Sequence, residues 1–514
     1  MNIKIYIEFV LLVVLGIATS LSLSPLNYFV INFLTFTLFY LFLIKKLDLH
    51  KNKRLFFLYG WLFGFGYFIS SLYWISISLT YDDNFKFLIP LTVILIPSFL
   101  GLFYGSVSYL FLILKPKKII SSFLVFTLIF GIIEFIRGSI LTGFPWNLIV
   151  YSFSKQLELI NITSIIGTYG LNLFCISLFT SPAIIFLGNT KKNITVFIFF
   201  LVLATIFYSY GYLNKKRFYE SNSKVYEYKL KVIGSNISLD RFYQKTDSLS
   251  IIEDLIVLSD PNTSEKTFFI WPEGIISNDI IEKSNQIKLL IKQNFNENHF
   301  LIIGTNKKII NDEFENHFNS LSVYNNKTEL IHSYDKINLV PFGEFLPFES
   351  ILKIIGLKSL TNNYQSFSRG EKREIIEIKQ QNFSLKILPL ICYEIIYSGK
   401  LFNESSYDLI INISEDGWFG QSIGPIQHFD HSIFRAIENG KYVLRSANNG
   451  MAAIVNPLGI IEEKINIGES GHIELSEIKI LQPTIFSKFG NKIFGFLILM
   501  YIFLIFSFNK IKNE

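Results

Sequence analysis

A chain of 514 residues that is 50% hydrophobic and 16% aromatic but only 17% charged is too apolar for an ordinary soluble enzyme of its length, so part of it belongs in a membrane. The net charge of +6, carried by lysines that are scattered or gathered at the ends of apolar runs, favours contact with anionic lipid and argues against a nucleic-acid partner. Of the two cysteines, Cys175 sits inside an apolar span of membrane length and Cys392 outside any such span, a poor placement for a disulfide and one that leaves Cys392 a free thiol.

Crossing a bilayer takes about 20 predominantly apolar residues. In chain order the candidate spans are 5–20, 28–44, 55–79, 87–114, 119–136, 162–187 and 194–213, with a shorter eighth at 493–508 flanked by aromatic and basic residues. The first follows a short basic start and also fits a signal peptide, which leaves the later topology unchanged. This divides the chain into a seven-helix membrane part (1–213), a polar–apolar alternating block (214–487) of the size of one large α/β domain, and a C-terminal helix with its tail (488–514).

Orientation follows from the short loops. Lys45, Lys46, Lys51, Lys53 and Arg54 form one basic cluster, Lys115, Lys117 and Lys118 a second, Lys191 and Lys192 a third, and Lys510 and Lys512 a fourth. Alternating helices put all four on one side, the cytoplasmic one. Lys215, Lys216 and Arg217 run against the pattern, but they lead into a long domain, where the rule weakens. The block 214–487 is therefore expected outside the cytoplasm.

Two polar features interrupt the membrane part. Glu134 and Arg137, three apart, can pair on one helix face, as a clamp between helices or as a contact for lipid headgroups. Gly143-Phe144-Pro145-Trp146 and the stretch to Asn161 are too polar to span, and read as a surface loop at the outer leaflet.

Within the polar block, short apolar runs at 231–235, 267–270, 300–304, 385–392 and 408–413 alternate with helix-like segments, an α/β pattern. Reactive side chains stand near the ends of these runs. Trp271-Pro272-Glu273-Gly274 follows the second, Tyr334-Asp335-Lys336 lies between the third and fourth, and Cys392 ends the fourth. A thiol is a weak nucleophile until a base removes its proton or a cation stabilises its thiolate. Glu273 can be the base, and Lys336 the cation that steadies the thiolate and the oxyanion of a tetrahedral intermediate. Taken singly, Cys392 could equally be a small core residue, and Glu273 and Lys336 solvated charges. His428, Asp430 and His431 lack an evident third partner at ligand spacing, so they read as polar partners at a loop or helix start and no metal or cofactor is expected.

The residues Trp271-Pro272-Glu273, Lys336 in YDKINLVPFGEFLP and Cys392 in ICYEI resemble the Glu-Lys-Cys signature of the nitrilase superfamily. The extended lysine motif, GWFG at 417–420, SIGPIQHF from Ser422, RSANNG from Arg445, and GFGYFISSLYWISIS and GFPWN in the membrane part make essentially the whole chain similar to the apolipoprotein N-acyltransferase family. The resemblance implies about eight membrane helices bracketing an exported αββα sandwich. It implies a monomer in the bacterial inner membrane, its catalytic domain facing the periplasm. It further implies that Cys392 takes an acyl chain from a phospholipid, typically phosphatidylethanolamine, as a thioester and passes it to the α-amino group of a lipoprotein's diacylglyceryl-cysteine. Glu344 and Glu394 match the carboxylates that orient the lysine and neighbouring backbone, and Tyr393 and Trp418 line the way in for acyl chain or headgroup. The chain departs from the family pattern at Glu415, where asparagine is common, and near Ile426, where histidine is common. Two other functions remain compatible with the residues alone: a membrane-tethered amidase or nitrilase whose thioester is resolved by water, and a non-catalytic lipid- or lipoprotein-binding membrane protein.

Overall fold

The computed structural model describes residues 3–243, 247–310, 315–347, 366–380, 383–401 and 407–510; Lys512 of the fourth basic cluster lies outside them. The N-terminal part is a bundle of α1 (Ile3–Ser20), α2 (Ile31–Leu49), α3 (Lys53–Leu72), α4 (Ile89–Leu114), α5 (Ile119–Arg137), the short α6 (Leu157–Ile160), α7 (Thr163–Thr180), α8 (Pro182–Leu187) and α9 (Lys191–Glu220). Among the described residues, seven helical stretches are long and apolar enough to cross a membrane: Ile3–Ser20, Lys53–Tyr81, Asp83–Leu114, Ile119–Arg137, Thr163–Leu187, Lys191–Glu220 and Lys492–Lys510. The remaining expected span falls on α2, which differs in carrying Lys45, Lys46 and Asp48 at its C-terminal end, where Lys46 pairs with Glu8 of α1. Small residues let these helices touch backbone to backbone. A Cβ on Gly16 of α1 would lie 2.1 Å from the Phe63 carbonyl oxygen of α3.

The polar block folds as two stacked sheets. One has the order β13-β1-β2-β4-β5-β6, with the short β3 beside β4: β1 (Ser223–Gly234), β2 (Thr267–Ile270), β3 (Ile276–Ser277), β4 (His299–Ile310), β5 (Glu315–Asn325), β6 (Leu330–Asp335) and β13 (Gly471–Lys479). The other runs β12-β11-β10-β9-β8-β7: β7 (Ile376–Gln380), β8 (Phe383–Ile391), β9 (Leu409–Glu415), β10 (Tyr442–Asn448), β11 (Ala452–Val455) and β12 (Ile461–Ile465). In each sheet the central strands β1-β2-β4 and β8-β9-β10 are parallel, as is the short β3 on β4, and the other pairings are antiparallel. Alternation along the strands sorts the side chains into layers. Leu409, Ile411 and Ile413 join Val232, Ile270 and Ile302 between the sheets, whereas Ile410 faces the other way. Phe269, Trp271 and Leu301 turn outward to α10 (Ser248–Ser259), α11 (Asn278–Lys283) and α12 (Asn285–Asn294).

The fourth layer is α13 (Gly424–Asn439), and its other side lies on the bundle. Leu390, Ile410 and Val443 of the second sheet, Phe429, Ile433 and Phe434 of α13, and the bundle aromatics form one continuous apolar core. Polar contacts fix the junction. The Glu438 carboxylate accepts from the Thr168 N–H and hydroxyl at 2.7 and 2.6 Å, and Arg435 reaches the same hydroxyl at 2.7 Å. Two short helices close the chain, α14 (Ile485–Phe489) and α15 (Lys492–Lys510), the latter packed on α5 and α7.

The surface loop expected around 143–161 is instead buried between bundle and sandwich. Trp146, Asn147 and Ile149 are 3%, 0% and 0% exposed, with the Trp146 indole N–H donating to Gln427 of α13 at 3.0 Å. Ser154 and the Asn161 amide nitrogen find protein partners here in place of water, whereas the Asn147 amide and the Ser152 hydroxyl are buried without a hydrogen-bond partner among the described residues. Glu134 and Arg137 pair at 2.7 Å, both side chains fully buried. Arg137 also donates to the Phe144 carbonyl and, at 3.1 Å, to that of Asn147. The pair therefore clamps this loop and is out of reach of lipid headgroups.

Candidate active site

Cys392 stands where β8 breaks into a tight 310 turn, Cys392–Ile396. Its φ of 49° is left-handed, a backbone state that costs a residue with a Cβ about 1–2 kcal/mol. Glu394 offsets that cost. Its carboxylate, fully buried, accepts from the N–H groups of Ile391 (3.0 Å), Ile337 (3.0 Å) and Asn338 (3.1 Å), from the Tyr334 hydroxyl (2.8 Å), and from Arg373 (2.6 Å). One side chain thus ties the Cys392 turn to the segment that follows Lys336. Burial pushes the Glu394 carboxyl up, but Arg373 and the backbone N–H groups outweigh it and hold the group below its ordinary range.

Glu273 follows β2 on the facing sheet, and Lys336 follows β6. The Lys336 ammonium lies between two carboxylates, 3.1 Å from Glu273 Oε1 and 2.8 Å from Glu344 Oε1. Asn319 Nδ2 donates to the same two oxygens at 2.7 and 2.8 Å. Glu344 Oε2 accepts from the Val340 N–H at 2.9 Å, which fixes the loop around the lysine. Burial opposes the Lys336 charge, yet Glu273 and Glu344 raise its pKa well above the ordinary lysine value, so it stays an ammonium. The Cys392 thiol is driven the other way from a reactive thiolate. Burial and then Glu273 push it well up, and the pull of Lys336 does not compensate. The thiol is held in its neutral form and would have to lose its proton before sulfur could act as a nucleophile.

Behind Cys392 lies a buried charged group of which the sequence shows His428, read there as a plain polar partner, and Arg445, through the RSANNG motif. Arg445 donates to both oxygens of Asp416 at 2.9 and 2.8 Å, and His428 Nδ1 lies 2.9 Å from Asp416 Oδ1. His428 Nε2 is 3.3 Å from the carbonyl oxygen of Cys392, and the Trp146 ring stacks on the imidazole at 5.2 Å. Burial, followed by Arg445, lowers the His428 pKa. Asp430 and His431 turn elsewhere. Asp430 binds the Ser24 hydroxyl of the bundle, and His431 packs edge-on against Tyr151 at 4.5 Å.

Tyr393 and Tyr397, on the nucleophile's own turn, are buried and reach into the bundle. Both hydroxyls donate to the Gly143 carbonyl, at 2.9 and 3.3 Å, and Tyr397 also to that of Thr142 at 2.9 Å. Trp418 is half-buried, with Tyr81 of the bundle and Phe242 against its ring at 5.9 and 5.3 Å. The structure thus gathers Glu273, Lys336, Cys392, Glu344 and Glu394 at one point and sets Tyr393 and Trp418 on its membrane side. Asn319, Asp416, Arg445 and Arg241 join them without a sequence signal of their own; the RSANNG motif alone hinted at Arg445.

Comparison with known proteins gives the same two-part division. The apolipoprotein N-acyltransferase N-terminal domain model matches residues 15–181 and the carbon–nitrogen hydrolase model residues 268–474. The apolipoprotein N-acyltransferase of Rickettsia prowazekii is 34% identical over 94% of this chain and 94% of its own length. The chain belongs to the apolipoprotein N-acyltransferase family. The Rhodopseudomonas palustris apolipoprotein N-acyltransferase is 29% identical over 93% of this chain and 90% of its own. In this member of the family the first model covers the bundle from within α1 to the end of α7, and the second runs from β2 into β13. The buried loop at Trp146 and helix α13 join the two.

Proposed function

We propose that this protein transfers a fatty acyl chain from a phospholipid to the α-amino group of the diacylglyceryl-cysteine at the N-terminus of bacterial lipoproteins, with Cys392 as the carrier. The observation that carries the reading is the buried Cys392 thiol, on a left-handed turn, beside a lysine held between Glu273 and Glu344. Glu273 takes the thiol proton as sulfur attacks the ester carbonyl, and Lys336 stabilises the oxyanion. The C–O bond breaks, the leaving lysophospholipid alkoxide takes the proton from Glu273, and the acyl chain remains as a thioester. The lipoprotein amine then attacks that carbonyl and loses a proton to Glu273. The C–S bond breaks, and the thiolate recovers the proton.

A membrane-borne donor, such as phosphatidylethanolamine, fits a nucleophile whose turn is tied through Tyr393 and Tyr397 to the bundle. That location favours lipid substrates over the small soluble amides of a plain hydrolase. The basic clusters support a cytoplasmic-membrane location with the sandwich on the outer face. The division at 1–213, 214–487 and 488–514 fits the layers, although α9 runs on to Glu220 beyond the first boundary.

The test is to incubate purified protein with phospholipid labelled in its acyl chain, seek acyl-Cys392 by mass spectrometry, and then add a diacylated lipopeptide. Acyl transfer to the lipopeptide amine is expected, with none in Cys392→Ser. No acyl-enzyme from intact phospholipid refutes the mechanism, and discharge by water alone favours the hydrolase. A reporter fused after Leu213 that proves cytoplasmic refutes the orientation.

A further inference from the structure

Glu273 has two oxygens with unequal surroundings. Oε1 accepts from Lys336 and Asn319, whereas Oε2 has one protein donor among the described residues, the backbone N–H of Glu415 at 2.8 Å. Oε2 is therefore the oxygen with room to take a proton, and the position of the Glu415 backbone sets its direction. The Glu415 side chain, buried, accepts from the Gly417 N–H at 2.8 Å, from Asn448 Nδ2 at 2.7 Å and from the Arg241 guanidinium. Arg241 reaches beyond Glu415. Its Nε donates to the Gly274 carbonyl at 3.1 Å and its Nη2 to that of Glu273 at 3.4 Å, while the guanidinium lies over the Phe242 ring at 4.4 Å.

One guanidinium thus holds the backbone from which Glu273 hangs and the residue whose N–H aims it. We infer that Arg241 and Glu415 are a paired positioning device for the general base, Arg241 neutralising the carboxylate that this chain carries beside Glu273 while fixing both loops. The inference rests on the proposed acyl transfer for the role of Glu273 as base, and it gives the Glu415 departure from the family pattern a partner. It also reaches Trp418, because Phe242 packs on that ring and Tyr81 donates to the neighbouring Gly417 carbonyl at 2.8 Å.

A charge pair makes a prediction that a merely structural contact does not. The charged groups acting most strongly on the Cys392 thiol are Glu273, Lys336 and Asp416, the last neutralised by Arg445 with His428 beside it. Lys336 and Glu344 face Glu273, while Arg241, Glu273 and Tyr81 surround Glu415. Arg241→Ala leaves a carboxylate uncompensated near the site and should move the pH midpoint of Cys392 alkylation by iodoacetamide up by about one unit. Glu415→Gln leaves a cation uncompensated and should move it down. The double variant Arg241→Ala/Glu415→Gln should return to the wild-type midpoint. Acyl-enzyme formation should fall at least roughly tenfold in Arg241→Ala with KM for phospholipid unchanged.

Alkylation is measured on the full-length protein in detergent and assigned to Cys392 by peptide mass spectrometry. Where Arg241→Ala does not fold, Glu415→Gln against the double variant gives the same comparison. Unmoved midpoints, or shifts of one sign in both single variants, overturn the pair. The predicted opposite shifts in a protein that takes no acyl chain from phospholipid leave the pair standing and remove the acyl-transfer reading instead.

Discussion

Replacing Lys336 by methionine tests whether the ammonium between Glu273 and Glu344 does what its geometry implies. At 3.1 and 2.8 Å, with an effective dielectric constant near 20, the two Coulomb attractions are worth about 5 and about 6 kcal/mol before desolvation. Taking three ions out of water costs several kcal/mol each, so most of that attraction is cancelled. What Lys336→Met exposes is the penalty of leaving two buried carboxylates facing each other across Asn319, about 3–5 kcal/mol for a broken buried pair. The apparent Tm in detergent should fall by roughly 6–20 °C at pH 8. With the cation gone, one carboxyl has its folded pKa raised above the unfolded value near 4.3. The stability of the variant is then fully present below that value and is lost as pH rises through the higher folded pKa. The Tm deficit should therefore shrink between pH 8 and pH 5, and acyl-Cys392 should form at no measurable rate at either pH. A deficit equal at both pH values, or a variant as stable as wild type at pH 8, refutes the reasoning.

Glu394→Gln leaves Arg373 buried without its anion and should destabilise the protein by about 3–5 kcal/mol at pH 7. Because the Glu394 pKa is held down in the fold, its contribution is present above about pH 4.3 and is lost as pH falls through the folded value. The wild-type advantage in denaturant midpoint should accordingly narrow on acidification. Tyr393→Phe and Tyr397→Phe each remove one donor to the Gly143 carbonyl and should cost about 1 kcal/mol in thermal unfolding. The double variant should cost more than the sum, since either single variant leaves that carbonyl a partner. Arg137→Leu strands Glu134 and the Phe144 carbonyl in the bundle and leaves the Asn147 carbonyl with the Tyr67 hydroxyl at 3.2 Å. It should slow acyl-enzyme formation by loosening the loop that grips the nucleophile's turn, whereas a wild-type rate in a folded Arg137→Leu protein would show that the loop does not matter to Cys392.

Of the three proposed catalytic residues, Glu273 and Cys392 were legible because each sits beside a strand end marked by local sequence, and Lys336 through the YDKINLVPFGEFLP motif. Glu273 follows a buried four-residue strand and a tryptophan-proline pair, Lys336 follows Tyr334-Asp335, and Cys392 ends a β-branched and leucine-rich run. Their partners lack such marks. Asn319 lies in a strand that sequence reasoning did not expect, in the run Asn319-Ser320-Leu321-Ser322, and nothing there separates a buried amide from an exposed one. The Glu415 N–H meets Glu273 across 142 residues of chain, and hydrophobic periodicity carries no information about such closure. The left-handed φ of Cys392 is invisible for the same reason, since it is imposed by the Glu394 carboxylate binding two separate segments.

The stretch after Arg137 shows how polarity alone misleads beside a membrane. Asn147, Ser152, Ser154 and Asn161 forbid a lipid-facing span, and water at the outer surface is the simplest partner for them. The other partner is protein. The loop lies under α13, where Asn161 Nδ2 donates to the Leu458 carbonyl at 3.0 Å and Ser154 meets Ser24 at 3.2 Å. Cover by water and cover by a second domain are the two alternatives, and under the second Ser154 and Asn161 Nδ2 find partners while the Asn147 amide and the Ser152 hydroxyl have none among the described residues. The aromatic residues beside them decide between the two, because Trp146 and Phe153 would leave large apolar faces in water. Burying those faces against His428 and Phe179 joins the membrane bundle to the shell around Cys392, so the same polar run that cannot cross the bilayer becomes the contact through which the bundle reaches the nucleophile.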